Sequence, residues 1–143
     1  MKNDPNHRER QVWQRVNRQE VPPRESLRPW LLSALEAATD YRHLAQISSG
    51  RRRELLNRLA EGEEAAAACL RGMLAVSGSK VSPSPPAPNK RPKVLLYRLR
   101  QCRESYRFYS GCAADPEYGA VFQRLAQRQG EQMALLLTLL GET

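Results

Sequence analysis

The chain has 143 residues, 41% of them hydrophobic, and a formal net charge of +8. That length suits one domain with tails and a modest core. No stretch approaches the ~18 consecutive apolar residues of a membrane span. Cys69, Cys102 and Cys112 are an odd number without C-x-x-C spacing, which argues against a disulfide framework or a zinc ribbon.

Residues 1–25 are polar and carry Pro5, Pro22 and Pro23, with only Val12, Trp13 and Val16 to bury. No hydrophobic region follows the charged N-terminus, so the expected compartment is the reducing cytoplasm. The domain proper is expected over 26–141. Its first helix should run from Leu27 to Ile47, with Ser26 as N-cap, Pro29 in the first turn and Ser48-Ser49-Gly50 as the stop. A second helix should cover Arg51 to Val76 and end at Ser77-Gly78. The tract VSPSPPAPNKRPK follows, with five prolines between Pro83 and Pro92. Proline lacks the amide donor a helix needs, so the linker, about 77–91, should be extended.

A third helix is expected from Pro92 to Ala113. Asp115-Pro116-Glu117 then supplies a capping carboxylate, a first-turn proline and an acid at the positive end of the helix dipole. The fourth helix should continue to Leu140, closed by Gly141. A helix of about 25 residues is roughly 37 Å long, and about 14 residues of extended proline-rich chain reach roughly 43 Å. The linker can therefore traverse a bundle, while the tight turns force the helices they join to lie antiparallel. The fold class predicted is all-α: a four-helix bundle of two antiparallel hairpins with a long crossover.

The hairpins look duplicated. Arg58-Leu59-Ala60 recurs as Arg124-Leu125-Ala126, and the tract around Tyr41 matches the tract around Tyr109. With the long crossover, these features resemble the ferritin-like superfamily, most nearly its bacterial rubrerythrin-type domains, over about residues 27–141. That resemblance implies two irons inside the bundle. In the family, the first and third helices each give a Glu seven residues before a Tyr. The second and fourth each give an E-x-x-H motif, whose members share a helix face.

Carried over position by position, most of that ligand set is missing. Ala34 stands seven residues before Tyr41, and Cys102 seven before Tyr109. The register of the repeated Arg-Leu-Ala puts the motifs at Glu63 and Ala66, and at Gln129 and Gln132. Of six positions only Glu63 keeps a family ligand. Glu36 and Glu104 stand two residues from the lost carboxylates, but at ~100° per residue they point away from the apolar faces. His7 and His43 fall in the tail and on the polar side of the first helix.

One acid, two amides and a thiol form a poor iron site, so no cofactor is predicted; iron enters only if this register is wrong. A single metal on Glu63 and Cys102 is the weaker reading. Glu63 is expected to be buried, hydrogen-bonded to Gln129 or Gln132 and to a tyrosine hydroxyl, with its pKa raised. Cys102 reads as a small core residue rather than a nucleophile. Gly62 and Gly130 lie inside helices, and either allow close helix contact or reflect relaxed selection.

Three functional readings follow. The preferred one is a non-catalytic ferritin-like bundle acting as an interaction or scaffold protein, with an unknown protein partner or as a homodimer. Trp13 and Trp30 are candidate contact residues. The PSPPAP tract could dock on a partner, though a stiff crossover explains it better. The alternative is a rubrerythrin-like di-iron oxidoreductase handling peroxide. The third is nucleic-acid binding: residues 77–114 hold eight basic side chains and one acidic, and Arg100, Arg103 and Arg107 form an outer stripe. Arginine-rich helix faces are usually just solvated, and no nucleic-acid-binding signature is present, so nucleic acid is the less expected partner. No membrane partner is expected.

Overall fold

A computed structural model describes residues 27–78, 86–88 and 93–142. The described residues form four α-helices and no strand: α1 (Arg28–Gln46), α2 (Gly50–Val76), α3 (Val94–Gly111) and α4 (Gly119–Gly141). The described residues build an all-α four-helix bundle. Most helix boundaries fall within two residues of the sequence expectation. The tail 1–25, the Ser26 cap, Pro92 and most of the 77–91 linker lie outside the described residues.

The turns show how the chain sets these limits. Gly50, at φ +61, opens α2 straight after the short turn that ends α1, a conformation that costs a side-chain-bearing residue and suits glycine. Gly78, at φ +89, performs the same service after α2, where its N–H donates to the Ala75 carbonyl. The fourth helix starts later than expected, at Gly119 rather than near Pro116. Asp115 does not cap the helix itself, whose N-cap residue is Tyr118; its Oδ1 instead accepts the N–H groups of Glu117 and Tyr118 at 2.8 and 2.9 Å. That carboxylate bond folds residues 115–118 into a turn ahead of the regular helix. Gly119 sits against the Ala113 carbonyl, with no room for a Cβ.

Helix α1 packs chiefly against α2, and α3 against α4, with smaller contacts between α2 and α4 and between α1 and α3. The apolar side chains gather in two clusters. One joins Leu31 of α1, Leu70 and Leu74 of α2, Tyr109 of α3, and Phe122 and Leu125 of α4. The other joins Tyr41 and Ala45 of α1, Leu56 and Leu59 of α2, Leu95 and Cys102 of α3, and Leu136 and Leu139 of α4. Between them in chain position lie the buried polar groups Glu63 of α2, Ser105 of α3, and Gln129 and Gln132 of α4, while Asp40 of α1 and Arg98 of α3 fall within the span of the second cluster. Each helix thus buries an apolar stripe interrupted by polar residues.

Trp30, a candidate contact residue, is half-buried. Its ring stacks on Phe108 with centroids 4.5 Å apart, so it is spent on packing α1 against α3. Gly62 and Gly130 prove different. A Cβ at Gly62 would run into the Gln132 amide, whereas one at Gly130 would make only ordinary contact with Tyr106 at 3.8 Å. Gly62 therefore permits a close approach, and Gly130 does not need to be glycine.

Candidate functional site: a polar belt inside the bundle

The six positions singled out in the sequence are all buried: Ala34, Glu63, Ala66, Cys102, Gln129 and Gln132. Glu36 and Glu104 are exposed, because each lies on the solvent side of its helix. The six do not form one site. Ala34 and Ala66 join the first apolar cluster. Gln132 packs beside Gly62 along a groove that also contains Arg58 and Arg128.

Glu63, Gln129 and Cys102 do meet, one from each of α2, α4 and α3. The Gln129 amide bridges the other two. Its Nε2 donates to Glu63 Oε1 at 3.1 Å, and its Oε1 accepts the Cys102 thiol at 3.0 Å. The Gln129 backbone carbonyl also accepts that thiol, at 3.3 Å. The partners fix which way the amide faces, since a carboxylate needs the donor end and a thiol needs the acceptor end. Glu63 has its hydrogen bond from Gln129, not from a tyrosine as the sequence reading also expected.

Burial dominates the electrostatics. It pushes the Glu63 carboxyl up to about 7, against the opposing pull of the Gln129 hydrogen bond and the Arg98 charge. Burial also pushes the Cys102 thiol up to about 12, reinforced by nearby Glu63. Tyr41 and Tyr109 are raised well above the ordinary phenol, first by burial and then by Glu63. An acid that ionises only near neutrality and a thiol that stays protonated are poor partners for a cation.

The principal surprise is a charge pair. Arg98 of α3 and Asp40 of α1 are both 2% exposed, with Arg98 Nε 3.1 Å from Asp40 Oδ2. The separation is that of an ion pair, although the N–H is not aligned to make a hydrogen bond. Arg98 also lies over the Tyr97 ring at 4.6 Å, and its Nη1 has no hydrogen-bond acceptor among the described residues. Arg98, Glu63, Tyr41, Cys102, Ser105 and Gln129 border one cavity of about 10 Å³, room for the centre of one water molecule.

Sequence reasoning missed Arg98, Asp40 and Ser105. A signal for two of them was present: Leu95, Arg98, Cys102, Ser105 and Tyr109 follow alternating steps of three and four, the spacing of a buried helical stripe. A charge on that stripe is costly unless paired. The partner of Arg98 is Asp40, which arrives from another helix.

The donor set does not fit a di-iron centre. A fixed guanidinium occupies the belt, the thiol is protonated, and Gln129 spends both ends of its amide on protein partners. No group of three or more His, Cys, Asp or Glu among the described residues is arranged to hold a metal ion. His43 is half-buried beside a separate groove that includes Arg42, Pro86 and Pro88. On the outer face of α3, Arg100, Arg103 and Arg107 are exposed. None of the helices among the described residues is long and apolar enough to cross a membrane.

Searches against protein-family models, curated proteins and solved structures return no match for this chain.

Proposed function

We propose that this chain is a non-catalytic, ferritin-like bundle related to rubrerythrins, which has lost its di-iron site and serves as an interaction or scaffold protein. The observation that carries the reading is the cation already inside the belt. A di-iron cradle gathers carboxylates around metal charge. Here the interior positive charge is covalent, held by Arg98 against Asp40, and the surrounding donors are neutral or reluctant to ionise.

The connectivity supports the ferritin-like reading. The first cluster takes the beginning of α1, the end of α2, the end of α3 and the beginning of α4; the second takes the opposite halves. That distribution suits two antiparallel hairpins with α2 and α3 running the same way. A link from Val76 to Val94 would then have to return along the bundle, as a proline-rich crossover can. The exposed arginines of α3 give the interaction role a surface.

Metal analysis of protein expressed in iron-supplemented medium tests the reading. Iron well below one atom per chain is expected, with a melting temperature unmoved by a chelator. Two tightly held irons per chain, with melting lowered on their removal, would overturn it in favour of the di-iron oxidoreductase.

A further inference from the structure

Helix α3 and its leading residue carry five cations, and the fold sorts them. Arg98 turns inward and is neutralised by Asp40. Lys93, Arg100, Arg103 and Arg107 stay exposed. At ~100° per residue, Arg100, Arg103 and Arg107 fall within an arc of about 60°, and Lys93 lies at its edge. The one acid among them is Glu104, 3.5 Å from Arg107 with both side chains about half exposed. An ion pair so solvated is weak, and it leaves Arg100 and Arg103 without a compensating carboxylate among the described residues.

We propose that this ridge binds the phosphate backbone of nucleic acid without sequence preference. The proposal rests on the interaction reading above and names the partner. The rise from Arg100 to Arg107 is about 10 Å, about three base-pair steps of a duplex measured along its axis at ~3.4 Å each. Guanidinium groups suit that role, since their planar fork engages phosphate oxygens in pairs. Tyr106, 40% exposed, lies one turn on from Arg103 at the flank of the ridge and offers a ring on which a base can stack.

An anionic membrane is the competing polyanion, and the fold disfavours it. Surface-bound helices sink a continuous apolar face into lipid. The apolar face of α3 is committed to the core through Leu95, Cys102 and Tyr109. Along the ridge itself only Leu96 is apolar and exposed.

Fluorescence anisotropy with a labelled generic duplex of about 20 base pairs tests the proposal, using the full chain and the triple variant R100Q/R103Q/R107Q. Micromolar binding is expected at low salt. Three phosphate contacts give a log–log salt slope near −2.7, hence about 40-fold weakening between roughly 50 and 200 mM salt. The triple variant should bind at least about tenfold more weakly and lose most of that slope. A labelled single strand in parallel should give a shallower slope, near −2.1.

Circular dichroism checks that the variant folds, and the single reversal Arg103→Glu serves if it does not. No binding at the lower salt would overturn the proposal, as would equal binding by the variants or preferential binding to phosphatidylserine vesicles. Iron content is read on the same preparation. Iron-loaded protein would sink the non-catalytic reading, whereas failure of a folded, iron-free protein to bind sinks only the nucleic-acid assignment.

Discussion

Glu63 is the residue on which the interior chemistry turns. Folded, it holds its proton to about 7; its ordinary value is 4.5. Folding therefore takes up a proton between those values. The stability tied to this proton is fully present below the ordinary value, and it is lost as pH rises through the folded one. The gap of about 2.5 pH units, at about 1.36 kcal/mol each, bounds the effect at roughly 3 kcal/mol. Glu63→Gln keeps the shape and removes the titration. Urea unfolding should find the variant more stable than the parent near pH 8 and flatter across about pH 4.5 to 8. Identical pH profiles for the two proteins would show that Glu63 does not titrate in this range.

Residue by residue, the sequence disclosed direction better than partnership. The repeat register and the apolar stripes placed Ala34, Glu63, Ala66, Cys102, Gln129 and Gln132 inward and Glu36 and Glu104 outward, because periodicity alone sets the angle about a helix axis. It could not show that Gln129 would bridge Glu63 and Cys102, or that no tyrosine would join them. Those facts depend on where four separate axes lie.

Between elements, the Asp40–Arg98 pair couples α1 to α3, two helices that the stacking of Trp30 on Phe108 also joins. Buried charges repay their desolvation only when both partners stay. Arg98→Met alone should cost about 3–5 kcal/mol, since it takes the guanidinium away from a buried carboxylate. The double variant Asp40→Leu/Arg98→Met should recover most of that loss, and can exceed the parent, because packed apolar groups bear no such penalty. A double-mutant cycle by chemical unfolding measures the coupling. Simple additivity of the two single changes would mean the pair contributes no interaction of its own. Helix limits were legible to within a residue or two except at α4, where the Asp115 carboxylate builds a separate turn before the helix begins.

At the scale of the whole molecule, two apolar clusters and an intervening polar belt divide the interior. Cys102 and Cys112 are buried, while Cys69 is half-buried. Thiol labelling under native conditions should consume Cys69 first. Cys102 should react only as fast as the bundle opens, because while buried its thiol is pushed up to about 12 and stays protonated. Three equally fast thiols would mean that the helices separate far more readily than this packing allows.

The amino-acid sequence by itself determined the helices, the face each turns inward and the absence of carboxylate or imidazole from five of six inward positions. These are local matters, set by propensity, turn chemistry and periodicity. Only the tertiary structure decided that Arg98 belongs inside and that Asp40 meets it there. A charge can enter a core only if its complement comes too, and here the complement lies 58 residues away on a different helix.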